Sequence, residues 1–162
     1  RKRYTFVFDC ETEMPVAPLT IFPEGLAFRP EGSNFICNLA PHPDNDPECF
    51  DHVIDYSDFD ERLWPILATH VPAFEAIKLR GAWCCHYDLN TFDENAIVGR
   101  ADPFENLYLL IGFSGHGMQQ APATGRATGE LITYGEFRSM DLSRFSLSRI
   151  GENRPLLETN CY

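Results

Sequence analysis

The residues best placed by type and spacing to do chemistry lie in GFSGHGMQQAP, residues 112–122. Three glycines fall within six positions, after an apolar run and before a stretch with helical periodicity. Gly112, Gly115 and Gly117 let the backbone take positive φ and let a ligand approach closely. A helix that starts here presents unpaired N–H groups and the positive end of its dipole. Such a turn suits an anion, or a group that becomes anionic during a reaction. The same pattern also makes a plain strand-to-helix turn with no ligand. His116, between two glycines, is either a structural hydrogen-bonding residue or a proton carrier, since imidazole titrates near neutral pH. Gln119 falls in the first helical turn, where it either reaches a ligand or stands exposed.

These residues need a strand before them and a helix after them. Residues 106–112 (NLYLLIG) form a continuous apolar run, the pattern of a strand buried on both faces. Residues 118–134 read as a helix closed by Gly135. Upstream, residues 3–10 are aromatic and β-branched and read as a strand, and 19–22 as a short one. Residues 25–29 and 33–38 flank Pro30-Glu31-Gly32, which predicts a hairpin. Residues 40–49 carry three prolines and form a loop. Residues 57–70 repeat apolar side chains at helical spacing, with Ser57 and Asp60 as a capping pair and Pro65 as a weak point. Residues 72–76 add a helical turn, 77–89 a long strand, 90–95 a polar turn and 96–99 a short strand. The chain after Phe137 reads as polar and irregular. The implied fold class is mixed α+β and α/β: a mainly antiparallel sheet with flanking helices, then one strand–glycine turn–helix unit. No internal repeat occurs.

Composition limits the partners. The chain has 162 residues, 44% of them hydrophobic, and a net charge of -11. That balance excludes a phosphate-binding basic stripe, and with it nucleic acid, and argues against an anionic membrane surface. No apolar run approaches the length of a membrane-spanning helix. The six cysteines, Cys10, Cys37, Cys49, Cys84, Cys85 and Cys161, include no C-x-x-C pair, so no structural zinc or other metal is expected. They read as reduced thiols in a reducing compartment. The start at Arg1, without Met or a leader pattern, suggests a processed or truncated polypeptide.

GFSGHG followed by a helix resembles the last flavin-binding turn of the D-amino-acid oxidase, glycine oxidase and sarcosine oxidase superfamily. A second element agrees in order and spacing. Arg80-Gly81-Ala82-Trp83-Cys84 leads through Thr91-Phe92-Asp93 to Ile97-Val98-Gly99. This is similar to the superfamily's strand, its T-x-D turn and the short strand ahead of the strand–glycine–helix unit. DLSRFSLS (141–148) with Arg149 is similar to its closing segment. The resemblance is strongest over 80–149. It implies that residues 1–99 are a portion of a substrate domain. Residues 100–140 would be the returning strand, turn and helix of an FAD-binding domain, and 141–162 a C-terminal tail. It further implies FAD as cofactor, with Gly112, Phe113, Ser114, Gly115, His116, Gly117, Met118 and Gln119 as binding residues. His116 and Gln119 would be the catalytic candidates on the substrate side. Reduced flavin carries negative charge at N1 and the C2 carbonyl, which backbone donors stabilise in the manner of an oxyanion hole.

The chain departs from the amino-acid oxidases of that superfamily. Gln119 stands where sarcosine oxidase-like members carry a carboxylate-binding lysine. No lysine occurs near 34–37, where those oxidases place one that promotes reaction with oxygen. For covalent flavin attachment, counting from Arg80-Gly81-Ala82 selects Cys84, whereas counting back from Thr91 and Asp93 selects Cys85 or His86. RKRY, VPAFEAIK with Trp83, and YDLNTFDENAIVG joined to GFSGHGMQQAPATGRA resemble a mitochondrial branch of the superfamily linked to assembly of respiratory complex I. That branch implies a matrix location and complex I subunits as partners. It also implies an N-terminal FAD-binding half, or a companion chain, to carry the G-x-G-x-x-G that these residues lack. The site within this chain would then be incomplete, and the chain alone inactive. Two readings follow: part of an oxidoreductase passing hydride from an amine or amino acid to flavin, or a non-catalytic accessory of complex I with a vestigial flavin site. An interaction module without flavin is a third.

Overall fold

The computed structural model describes residues 1–14 and 16–158. Cys161 and the end of the 141–162 tail lie outside them. The chain divides into two compact units, Arg1–His86 and Tyr87–Tyr162.

The first unit is built on one sheet of five antiparallel strands. They are β1 (Lys2–Cys10), β2 (Thr20–Ile21), β3 (Ala27–Glu31), β4 (Asn34–Asn38) and β5 (Ile77–His86), in the order β2-β3-β4-β1-β5. Successive side chains point to opposite faces, so the pairs Phe6↔Cys37, Phe8↔Phe35 and Phe28↔Cys37 put one apolar set on a single face. The expected hairpin between β3 and β4 is present. Between Val7 and Phe8 the β1–β5 register slips by one residue, which leaves Arg80 unopposed. Arg80 donates from Nε and Nη2 to Asp9 on the neighbouring strand.

A helical segment covers the apolar face. Phe59–Leu63 is a π-helical turn, and it runs directly into α1 (Trp64–His70). Pro65 has no N–H to give to Glu61, and the ladder widens just ahead of it. Ser57 does not cap the segment with Asp60 as expected. Its N–H and hydroxyl both donate to Asp55 in the preceding loop (3.0 and 2.7 Å), and no side chain makes a capping hydrogen bond at the start of the π-helical turn. A 3-10 turn, Pro72–Glu75, then places Phe74 in the core. Phe74 meets Phe8, Phe28 and Phe35 edge-on at centroid distances of 5.1, 5.4 and 5.2 Å. Cys37 is buried here, and desolvation pushes its thiol up to about 12, so it behaves as a small apolar side chain. Cys10, Cys37, Cys49, Cys84 and Cys85 are all free.

In the second unit, β6 (Ile97–Arg100) pairs antiparallel with β7 (Tyr108–Ile111). The apolar run 106–112 was expected to be buried on both faces. Among the described residues β7 has one neighbour, Tyr108 to Leu110 are half-buried, and Ile111 is 45% exposed. The strand that precedes the glycine turn is therefore an edge. Helix α2 (Gly117–Tyr134) follows and buries Thr124, Ala127 and Thr128, the i, i+3, i+4 face. Gly135 ends it at φ +77, with its N–H on the Leu131 carbonyl. Ala127 joins Ala96, Val98 and Leu142 in a small core. The tail is more ordered than its polarity suggests: a 3-10 turn at Ser143–Phe145 precedes α3 (Ser148–Gly151), which buries Arg149. Among the described residues no helix is long and apolar enough to cross a membrane.

Phe74 is fully buried against three rings. Its replacement by Ala leaves a cavity and removes their contacts, which typically costs about 3–5 kcal/mol. Denaturant unfolding of Phe74→Ala should show a loss in that range. A loss under about 1 kcal/mol would mean the ring is not the keystone of this core.

Candidate functional site

The glycine turn takes its shape from three left-handed residues, Gly112 (φ +70), Ser114 (φ +48) and Gly115 (φ +94). Gly112 is required twice over: its φ is positive, and an added Cβ would lie 3.0 Å from the Asn90 Cβ. Ser114 is not a glycine, and its conformation costs about 1–2 kcal/mol. Its fully buried side chain offsets that cost, accepting the Asn90 N–H (3.0 Å) and donating to the Gly112 carbonyl (3.2 Å).

One residue holds the entry to the turn. Asp88 Oδ2 accepts the N–H of Gly112 (2.5 Å) and of Phe113 (3.3 Å), and the Asp88 carbonyl accepts that of Ser114 (3.1 Å). The His116 N–H goes to the Phe113 carbonyl (2.9 Å). Four of the eight backbone donors of 112–119 are thus engaged inside the protein. Gly115, Gly117, Met118 and Gln119 remain at the mouth of α2. His116 is the N-cap residue, and no side chain makes a capping hydrogen bond there. Met118 is 90% exposed, Gln119 is exposed, and His116 and Gly117 are half-buried. All eight sequence-predicted residues therefore lie in one continuous turn and helix start. This arrangement fits the flavin that the resemblance implies: the backbone is bent back over a helix N-terminus whose donors no side chain caps.

A polar lattice behind the turn keeps it in place. Asn90 accepts the Phe92 N–H on Oδ1 (3.0 Å) and donates from Nδ2 to Asp93 Oδ1 (2.8 Å) and the Asn95 carbonyl (2.6 Å). Asp93 is fully buried and receives a bidentate pair from Arg149, Nε to Oδ2 at 2.7 Å and Nη2 to Oδ1 at 2.9 Å. The remaining Arg149 donors reach the carbonyls of Phe145, Ser146 and Asn95. Burial alone would raise the Asp93 carboxyl. Arg149 and the N–H groups of Leu156 and Asn95 outweigh burial and hold it below the usual carboxylate range. The sequence motifs contained both Asp93 and Arg149 but not their pairing across 56 positions, nor the role of Asp88. Reading 77–89 as one strand concealed Asp88, because the strand stops at His86. A usable signal was present in Asn90 and Asp93, an Asx-type turn beside a buried basic residue.

Comparison with known proteins adds to this geometry. A family model described as FAD dependent oxidoreductase matches residues 1–131. The FAD-dependent oxidoreductase domain-containing protein 1 of Xenopus laevis is 42% identical over 163 residues, covering 99% of this chain and 33% of the relative. The N-methyl-L-tryptophan oxidase of Salmonella dublin is 36% identical over 89 residues, 55% of this chain and 23% of that protein. Among solved structures, the L-proline dehydrogenase of P. horikoshii superposes with a TM-score of 0.77 at 20% identity, covering 95% of this chain and 40% of that one. The chain thus spans about a third of the length of the curated relatives it matches.

Removing one partner of a buried pair leaves a charge uncompensated and costs about 3–5 kcal/mol. Arg149→Met should lower the stability of the second unit by that amount, read by hydrogen exchange of residues 90–95. The pH dependence follows from the direction of the Asp93 shift. A depressed folded value means that the stabilisation is complete above the unfolded value of about 3.9 and is lost as pH falls through the folded one. Protection of residues 90–95 should therefore hold from neutral pH to about 4 and fall below it. Asp93→Asn should flatten that acid limb. An unchanged limb in the variant would place its origin elsewhere.

Proposed function

The chain belongs to the FAD dependent oxidoreductase family, and from that premise we propose that it is the C-terminal part of an oxidoreductase acting on an amine- or amino-acid-type donor. The observation that carries this reading is the left-handed turn opening onto the side-chain-uncapped start of α2. Relatives named for L-proline and for an N-methylated amino acid support the donor class. FAD, when bound, supplies the hydride acceptor, and the protein supplies binding and orientation. In this reading Gly112, Phe113 and Ser114 shape the turn. Gly115, Gly117, Met118 and Gln119 offer backbone donors to the flavin, and His116 and Gln119 face the substrate. Residues 1–99 serve as part of a substrate domain, 100–140 as the returning piece of the FAD-binding domain, and 141–162 as a tail. The sequence holds no G-x-G-x-x-G, so an N-terminal half or a companion chain carries the pyrophosphate site, and this chain alone is inactive.

We also place the protein in the mitochondrial matrix, working with subunits of respiratory complex I. The support is the resemblance of RKRY, VPAFEAIK and YDLNTFDENAIVG to the branch described above. Co-migration with complex I on native gels of mitochondrial extracts checks this, and a wholly extramitochondrial protein ends it. One observation favours a second reading, a non-catalytic accessory with a vestigial flavin site. Gln119 is neutral where related oxidases carry a lysine for the substrate carboxylate, and a charge-assisted bond is about twice as strong as a neutral one.

The full-length polypeptide should purify with flavin absorbance, and a colourless protein that takes up no FAD would falsify the oxidoreductase reading. In that flavoprotein, Gln119→Lys should tighten binding of simple carboxylates or N-methyl amino acids on the order of tenfold, read by titration of the flavin spectrum. Tight binding by the native protein, or no gain in the variant, would show that Gln119 does not face the substrate.

A further inference from the structure

Asp88 has a geometry that the family reading leaves unused. A single residue accepts three consecutive backbone N–H groups, those of Gly112, Phe113 and Ser114, two on its carboxylate and one on its carbonyl. The three donors begin the turn in which Gly112, Ser114 and Gly115 take positive φ. Asp88 sits 24 residues earlier in the chain and is itself exposed, so the apolar core does not hold it there. Two consequences follow from elementary chemistry. The carboxylate fixes the direction in which the next donors, Gly115 and the start of α2, point. It also sets a full negative charge beside a cluster of partial positive charges, where it opposes any further anion at the same turn.

We propose, on the reading of this turn as a flavin site, that Asp88 is its positioning residue and also biases it against the anionic, reduced form of the flavin. The hydrogen bonds orient the turn, and the charge tunes it. The two roles separate by substitution. Asp88→Ala removes both side-chain bonds and the charge. Asp88→Asn keeps an acceptor oxygen for the Gly112 N–H and removes only the charge.

The test uses the full-length polypeptide reconstituted with FAD. It reads FAD affinity by fluorescence quenching, reduction potential against a reference dye, and melting of the FAD-free form. Bonds to an exposed carboxylate are partly screened by solvent, so effects of about fivefold are expected. Asp88→Ala should weaken FAD binding by about that factor. Asp88→Asn should bind oxidised FAD within about twofold of the native protein. It should also favour reduced over oxidised flavin about fivefold more, a rise in potential. If Asp88→Ala does not fold, Asp88→Asn carries the test alone. Native affinity and potential in both variants would overturn the proposal. So would losses of affinity that follow FAD-free melting with the potential unmoved, since that is the signature of a merely structural residue. A native protein that takes up no FAD ends the flavin reading itself, before either variant is compared.

Discussion

The second unit depends on one buried ion pair, Asp93 with Arg149. Neither side chain has appreciable contact with water, at 0% and 3% exposure. Two charges withdrawn from water carry a large desolvation penalty, and their attraction repays it only when the remaining donors and lone pairs are also satisfied. Here they are. The two side chains form a fork, and the other Arg149 donors reach three carbonyls. Asp93 receives Asn90, Asn95 and Leu156 in addition. A Leu or Met pair of similar volume could match such a bridge in free energy. It could not select one register for 90–95 against 145–156 as a planar fork within a set of eight hydrogen bonds does. The pair therefore sets geometry more than it adds stability.

That geometry reaches the glycine turn in two short steps. Asn90 touches Asp93 with its side chain and Ser114 with its N–H. Ser114 keeps its left-handed conformation because its hydroxyl lies between Asn90 and the Gly112 carbonyl. From the other side Asp88 secures Gly112, Phe113 and Ser114. The turn is held by polar contacts on both flanks, and its outer donors, those of Gly115, Gly117, Met118 and Gln119, take no part in the lattice. A ligand recognised there meets donors already oriented, which lowers the ordering cost of binding. The carboxylates behind the turn and the helix dipole in front act with opposite sign on an anion.

Much of this was legible in the sequence wherever a local rule governs. The alternation in β1, the turn residues between β3 and β4, and Gly135 at the end of α2 each act within a few residues, and each expected element is present. Departures arose where competing or distant partners decide. Ser57 looked like a cap, but the nearby Asp55 takes both its donors. Residues 77–89 looked like one strand, but Asp88 accepts hydrogen bonds from residues 24 to 26 positions away, so it is withdrawn from any ladder. The tail looked irregular because its order comes from Arg149, a long-range pairing with no periodic signature. The glycine turn was recognisable by type, whereas which of its N–H groups are engaged is decided by Asp88, 24 to 26 positions away, and leaves no local signature.

The small size of the second unit's core explains why the lattice is polar. Ala96, Val98, Ala127 and Leu142 bury little apolar surface, and a two-stranded ribbon such as β6–β7 is marginal in water by itself. Such a unit cannot rely on packing to define a turn to within a fraction of an ångström. Hydrogen bonds supply that definition because they are directional, while apolar contact is not. Glu130 does the same work at the other end of α2. Its carboxylate accepts the N–H groups of Ser139 and Arg138, both at 2.9 Å, and is held at about 2 as a result. Thus both ends of the helix are fixed by acids that accept backbone donors: Asp88, ahead of the helix, holds the turn that leads into it, and Glu130, in its last turns, holds the segment that follows it. The acidic composition of the chain, which at first only excluded nucleic acid, is partly used for this purpose.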